Sequence, residues 1–171
     1  MSDSKFASFS EGEKINLVSA MLMATAEPLA RGENSYYSPR QQGAGLANIQ
    51  AVASAKAYLT VEGADPAKPK AELGDGTGPF SFTFTVHNLT GDALTYTLDA
   101  AALSEEIVDG YFQQKSKNYA GNGIAISYDG ATEDGTVSVP GHGAATVTVA
   151  MGDHPERNLN QPDEQGRMPH M

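Results

Sequence analysis

The chain has four histidines and no cysteine, so nucleophilic chemistry would depend on serine with histidine as its base. Such catalysis needs a nucleophile, a base that deprotonates it and a group that orients the base. Ser19 lies in the middle of a helical pattern without the flanking glycines of an exposed nucleophile. His87 falls on the solvent face of an alternating strand, His142 in a Pro-Gly-His-Gly turn, and His154 and His170 in the polar C-terminal stretch. We predict structural or surface roles for all five and no catalytic residue.

Patterns for metal and phosphate binding are also weak. There is no HExxH motif, and no two histidines are spaced to share a helix face. The stretch DGATEDG, residues 129–135, has a calcium-loop composition, but Ala131 and Pro140 stand where such a loop needs its third and twelfth ligands. The glycine clusters at 43–48 and 74–79 lack GxGxxG spacing. We therefore predict a turn at 129–135, no metal site and no cofactor.

Composition excludes several classes of partner. The chain has 171 residues, with 11 basic against 21 acidic side chains and a formal charge of −10. A nucleic-acid binder needs basic density on one face, so this balance argues against nucleic acid and against an anionic membrane surface. There is no run of eighteen apolar residues, and the first ten residues lack the pattern of a signal peptide. The segment Asn88-Leu89-Thr90 matches a glycosylation sequon, a pattern that is common by chance.

Two helices are predicted in the first third of the chain. Ser10 and Glu13 form a capping-box pattern before EKINLVSAMLMATA, whose apolar residues recur at helical spacing on more than one face. We expect this helix to be buried over much of its circumference and to end by Pro28. A shorter helix is predicted from Leu46 to Ala55, after glycines at 43 and 45.

From Ala57 the apolar period changes from 3.6 to 2, which indicates strands with one buried face. The turn pairs Gly91-Asp92, Asp129-Gly130, Asp134-Gly135 and Pro140-Gly141 separate these strands, and the stretch from Ser104 to Asn122 reads as a long, less patterned connection. We predict a mainly β chain, an antiparallel sandwich of immunoglobulin or fibronectin-III type. The side chains expected to point inward are Phe80, Phe82, Phe84, Val86, Leu94, Tyr96, Leu98, Val147, Val149 and Met151.

Two stretches carry a family resemblance. LVSAMLMATAEPL followed by YYSPRQQGAGLANIQAVASA resembles the C-terminal end of a subtilisin-type catalytic domain, where a G-x-G-L-x-N segment leads into the last helix. The SPRQQGAG form, residues 38–45, is similar to that of the large cell-envelope subtilases, such as lactocepin and the complement-fragment-cleaving peptidases. ELGDGTGPFSFTFTVHNLTGDALTYTLDA and GTVSVPGHGAATVTVAM resemble the fibronectin-III-like domain that follows the catalytic domain in that group.

The resemblance implies a domain organisation and a function. Residues 1–56 would be the helical, incomplete C-terminal end of an α/β subtilase domain, 57–151 the fibronectin-III-like sandwich, and 152–171 a linker or disordered tail. The family's catalytic serine, aspartate and histidine motifs lie upstream of the matching region, so no catalytic residue is carried over. The chain would then be a non-catalytic segment of a secreted, cell-surface serine endopeptidase. Its partners would be the remainder of the protease domain and that enzyme's protein or peptide substrate.

Two other readings stay open on the residues alone. A free-standing binding or adhesion module would need a surface aromatic cluster, for which Tyr111-Phe112 and Tyr119 are the candidates. An independent enzyme would need a base beside a nucleophile, which the sequence does not offer. For the first helix, separated from a catalytic domain, we expect one of three outcomes: it folds back on the sandwich, pairs with a second copy of the chain, or stays mobile.

Overall fold

The structure is a computed structural model that describes residues 6–33, 35–64, 68–71, 73, 79–108, 111–121 and 124–152. The first helix, α1 (Glu11–Ala24), begins at the predicted capping box. The backbone N–H of Glu13 donates to the Ser10 hydroxyl at 3.4 Å, and the Glu13 carboxylate accepts from the Ser10 backbone N–H at 2.8 Å. The helix ends at Thr25, whose backbone N–H donates to the Met21 carbonyl, so the predicted helix and its start are confirmed.

Helix α1 is buried on one narrow face rather than over most of its circumference. Its buried residues are Leu17, Ala20 and Met21, whereas Ile15 is 68% exposed and Val18 is also exposed. The buried face packs against α3 (Ile49–Ser54) and β3 (Ala57–Val61). The expectation of wide burial is therefore wrong for this chain, because one strand and one short helix cover only one side. Of the three expected outcomes, the structure shows the helix folded back on the edge of a sheet.

The predicted alternating strands form a four-stranded antiparallel sheet and a two-stranded ribbon. In the sheet, β3 pairs with β4 (Phe80–Asn88), β4 with β10 (Ala144–Met151), and β10 with β8 (Ile126–Asp129). The ribbon joins β5 (Leu94–Thr97) to β9 (Thr136–Val139). These open antiparallel sheets confirm the predicted fold class.

A second four-stranded sheet was not predicted. Its order is β1 (Ala30–Gly32), β2 (Ser35–Tyr37), β7 (Tyr111–Asn118) and β6 (Leu103–Val108), and each neighbouring pair is antiparallel. The prediction of a long connection from Ser104 to Asn122 is wrong, because β6 and β7 form a hairpin there. Both strands are rich in polar residues, so they lack the alternation that marks a half-buried strand.

The core consists mainly of valines, of which Val86 and Val147 are at positions predicted to point inward. Val86, Val137, Val139 and Val147 are buried, and a smaller cluster joins Ala102, Tyr119 and Ile124. Tyr96 differs from its predicted inward position, because it lies on the two-stranded ribbon and is 36% exposed.

The second predicted helix is confirmed but shorter than expected, since α3 begins after Asn48, whose side chain accepts from the Ala51 N–H at 2.9 Å. The boundaries at residues 56 and 151 stay predictions.

Candidate functional site

The SPRQQGAG segment, residues 38–45, folds as a one-turn helix followed by two glycines in the left-handed region. Pro39 opens α2 (Pro39–Gln42), where its fixed φ suits a helix start and its missing N–H costs no hydrogen bond. The Ser38 carbonyl accepts from the N–H groups of Gln41 and Gln42, and the Gly43 N–H donates to the Pro39 carbonyl at 2.7 Å. The conformation of the segment is therefore held by hydrogen bonds within its own backbone.

The side chain of Gln42 ties this segment to the chain that leaves α1. Its Oε1 accepts from the Leu29 N–H at 2.6 Å, and its Nε2 donates to the Tyr37 carbonyl at 2.6 Å. Glu27 and Leu46 exchange backbone hydrogen bonds of 3.1 and 2.9 Å beside it. We call this set of contacts the Gln42 clamp. It joins the exit of α1 to the start of α3 through backbone groups and one amide side chain.

The one serine considered as a nucleophile is engaged with its own helix. The Ser19 hydroxyl donates to the Ile15 carbonyl at 3.0 Å, a common arrangement for serine inside a helix. The structure places His142 in the predicted turn, where its φ is 51° and its backbone N–H donates to the Thr90 carbonyl at 2.7 Å. His154 and His170 lie outside the described residues. Within the described residues, no hydrogen bond joins the Ser19 side chain to His87 or His142.

His87 is half-buried, rather than on an open solvent face as predicted. It lies opposite Tyr58 on β3, and the two rings stack with centroids 4.6 Å apart. Its Nε2 is 2.8 Å from the Thr60 hydroxyl, and the Phe9 and Tyr58 rings form an edge-to-face pair with centroids 6.5 Å apart. The alternating pattern of β4 predicts which face His87 takes, but it does not show that Tyr58 and Phe9 cover that face. Burial lowers the pKa of His87 and raises that of Tyr58.

The lowered pKa of His87 predicts a loss of stability in mild acid. Because the unfolded histidine binds a proton at a higher pH than the folded one, the unfolded state gains protons first as the pH falls below about 6.5. We expect the urea midpoint to fall between about pH 7.5 and about pH 5.5, and His87→Gln to flatten that change. His142→Asn, which removes a histidine from a turn, is the matched control variant. An unaltered pH dependence in His87→Gln would contradict this assignment.

Residues 129–135 form a turn, as predicted. The Thr132 hydroxyl donates to the Asp134 carboxylate, and the Thr136 N–H donates to both the Thr132 hydroxyl and the Asp134 carboxylate. These hydrogen bonds, first of all the one from Thr132, lower the pKa of the exposed Asp134 carboxyl. One of its carboxylate oxygens, Oδ1, therefore takes part in closing the turn.

Asn88, the first residue of the sequon, is buried and fully engaged. Its Nδ2 donates to the carbonyls of Asp92 at 2.8 Å, Pro140 at 3.1 Å and Val139 at 3.4 Å. Its Oδ1 accepts from both the N–H and the hydroxyl of Thr90 at 2.8 Å. The sequon pattern therefore coincides with a structural asparagine that joins two turns, and its amide nitrogen is not accessible in the folded chain.

Two of the aromatic residues considered for a binding cluster, Tyr111 and Tyr119, lie far apart. Tyr119 is buried against Ala102 and Ile124, whereas Tyr111 is 36% exposed at the other end of β7. A strand rises about 3.3 Å per residue, so roughly 25 Å separate the two positions. The side chain of Phe112 lies outside the described part of the chain. Tyr119 thus serves as an anchor of the small core.

One feature that sequence reasoning missed is a groove along the free edge of β8. It has a volume of about 500 Å³ and is lined by Asp99, Ala100, Asn118, Ala120, Gly121, Ile124, Ala125, Ile126 and Tyr128. These residues come from three separate stretches, and no spacing in the sequence links them.

Across the described ranges, no cluster of His, Asp and Glu is arranged to hold a metal ion. Nor does any helix in the described part of the chain have the length and apolarity to cross a membrane.

These observations describe a β-sandwich that follows a helical segment, α1 to α3, which we call the helical lead-in. The Gln42 clamp holds the two ends of this segment together. No family model matches the chain. The chain is similar to C5a peptidase of Streptococcus pyogenes, with 24% identity over 148 residues, which is 86% of this chain and 12% of that protein. It is 32% identical over 87 residues to C5a peptidase of S. pyogenes serotype M3 (strain SSI-1), which is 50% of this chain and 7% of that protein. The chain is thus a distant homologue of a small part of C5a peptidase.

Proposed function

We propose that this chain is a non-catalytic segment of a secreted, cell-surface subtilisin-like serine endopeptidase. In this role it supports the catalytic domain and shapes the access of a protein or peptide substrate. The similarity to C5a peptidase supports the proposal because it runs through 86% of the chain, and so includes both the helical lead-in and the sandwich. The SPRQQGAG segment supports it further, because its residues build a structural clamp rather than a site for chemistry.

The observation that carries the proposal is an uncovered apolar surface on the two helices. Ile15 and Val18 on α1 and Ile49 on α3 are exposed, as is Leu46 just before α3, and Ile49 is 78% exposed. The two helices also contact each other. Each large apolar side chain gains about 1.5–3 kcal/mol when fully buried, which favours a partner for this surface. The remainder of a protease domain is the partner that the similarity suggests.

The coding sequence upstream of this segment tests the proposed function directly. We expect an open frame that carries the Asp, His and Gly-Thr-Ser-Met-Ala motifs of a subtilase in that order. Deleting residues 57–151 from the product of that frame should then impair the folding or the substrate range of the protease. An upstream frame that lacks those motifs would overturn the proposal and leave the free-standing binding module as the better reading.

Self-association through the exposed helix is a second expectation for the chain on its own. We expect sedimentation velocity to show concentration-dependent association, and Ile15→Lys to weaken it by about tenfold because a charged side chain resists burial. Asn16→Lys, an exposed change on a different face of the same helix, is the control and should have a smaller effect. A strictly monomeric wild-type chain would contradict self-association. It would not contradict the proposal that the chain is a segment of a serine endopeptidase.

A further inference from the structure

Strand β8 has one edge that no described strand covers. It is the last strand of its sheet and pairs with β10 alone. The Gly152 N–H donates to the Ala125 carbonyl at 2.9 Å, which makes these two residues a hydrogen-bonded pair. Hydrogen-bonded pairs alternate along antiparallel strands, so Ser127 and Asp129 also bond β10. The backbone N–H and C=O groups of Ile126 and Tyr128 therefore point away from β10, toward the groove.

The wall opposite this edge is fixed in place by one side chain. Oδ1 of Asn118 accepts from the backbone N–H groups of Ala102 and Ala120, each at 3.0 Å. These two bonds join the stretch that contains Asp99 and Ala100 to the stretch at 118–121. Because the wall is held by hydrogen bonds, the groove is formed before any occupant enters, which reduces the ordering cost of binding.

The groove combines three features that suit an extended peptide. Its edge offers unpaired backbone groups at alternate residues, which is the requirement for adding a strand to a sheet. Its floor is apolar, because Ile124 belongs to the small core and Ile126 packs against it. Among the described residues that line it, Asp99 is the charged one and none is Lys or Arg. A peptide with an apolar and a basic side chain complements all three.

We propose that the groove beside β8 binds an extended, basic segment of another polypeptide as an added β-strand, with a Lys or Arg facing Asp99. Backbone hydrogen bonds to Ile126 and Tyr128 hold the segment in an extended form. The Asp99 carboxylate selects for the basic side chain, and the apolar floor accepts its neighbours. The inference uses only residues of this chain and does not depend on the proposed function.

A titration of the full chain with a defined peptide tests the proposal. The probe is Ac-Thr-Val-Lys-Val-Thr-amide, followed by ¹⁵N-resolved NMR. A short peptide that adds one strand is expected to bind with a dissociation constant on the order of 1 mM. The largest saturable shifts should be at Ile126, Tyr128 and residues 118–121. Absence of saturable shifts there, or shifts confined to α1, would overturn the proposal.

N-methylated peptides separate strand addition from other modes of binding. In an added strand, only alternate N–H groups face the partner. One peptide is methylated at its second and fourth residues and the other at its third and fifth, so one should lose binding while the other keeps it. Equal binding by both peptides would overturn strand addition. Concentration-dependent shifts at β8 without peptide would assign the edge to a second copy of the chain and would also overturn the proposal.

Charge selectivity is tested with a matched pair of variants. Asp99→Asn should weaken binding of the Lys peptide by about threefold, as expected for an exposed ion pair, and leave an Ala analogue unchanged. Asp92→Asn removes the same charge outside the groove and is the control. Equal weakening by both variants would show a general effect of net charge and would remove Asp99 from the proposal.

Discussion

Replacing Asn88 with alanine is expected to lower the free energy of unfolding by about 3 kcal/mol. The change removes the amide donor that the carbonyls of Asp92, Val139 and Pro140 share. It also frees the Thr90 N–H, which Asn88 Oδ1 accepts. Because Asn88 is buried, water cannot replace these bonds without opening the two turns. Urea denaturation followed by circular dichroism measures the loss.

Thr85→Ala on the same strand is the control for this variant. Its hydroxyl bonds Thr146 across the strands at 3.1 Å in an exposed position, where a side-chain hydrogen bond contributes about 0.5–1 kcal/mol. An Asn88→Ala variant no less stable than Thr85→Ala would show that the asparagine network is not what holds the turns together. Asn88→Asp should also destabilise, because a carboxylate cannot donate to the three carbonyls.

Replacing Gly45 with alanine is expected to disrupt the Gln42 clamp, with a cost of about 2–4 kcal/mol. Gly45 has a φ of +113°, and a Cβ added there would collide with the backbone carbonyl of Glu27. That carbonyl accepts the Leu46 N–H, so relieving the collision breaks the exchange of bonds between Glu27 and Leu46. Hydrogen exchange should show faster exchange of both amides, and denaturation should show the loss of stability.

Two other glycines serve as controls for this variant. Gly12 lies in the first turn of α1 with open space around it, so Gly12→Ala should be neutral or stabilising by up to about 1 kcal/mol. Gly43 has a φ of +62° but no neighbour near an added Cβ, so Gly43→Ala tests the cost of the backbone conformation alone. If Gly45→Ala exchanged no faster than Gly43→Ala at Glu27 and Leu46, the steric account would be wrong.

Sequence reasoning predicted the elements whose burial is one-sided. The strands around Val86 and Val147 alternate because one face meets the core, and this pattern is readable without a structure. The start of α1 was readable because the capping box is a local arrangement of side chains and backbone. In each case, the information lies within about ten residues of sequence, which is why the prediction and the structure agree.

The second sheet was not predictable in the same way. Strands β1 and β2 have three residues each, too few for any period to appear. In β7, the buried Ser116 is a polar residue at a position where alternation would predict an apolar one. Its neighbours on β2 and β6 are Tyr36 and Glu105, so the pairing is set by contacts distant in sequence. Local pattern cannot report such contacts.

The groove and the environment of His87 depend on the same kind of distant contact. Asp99, Asn118 and Tyr128 line one groove because two sheets meet there, and each residue alone has an ordinary surface sequence context. His87 was predicted correctly as a strand residue, but its burial comes from Tyr58 on β3, whose ring also packs against Phe9 before α1. A strand pattern specifies which face a side chain takes and does not specify what will cover that face.

The strand order has a consequence for how the chain folds as it is synthesised. Each four-stranded sheet has an inner strand that is synthesised late, β7 in one sheet and β10 in the other. Strand β2 pairs with a segment roughly 80 residues further along, so at typical ribosomal rates it waits on the order of 4–16 s for its partner. Such non-local pairing also slows folding after release. The β2–β7 sheet is therefore free to close before the β4–β10 sheet during translation, and a nascent chain that stops before β7 can complete neither.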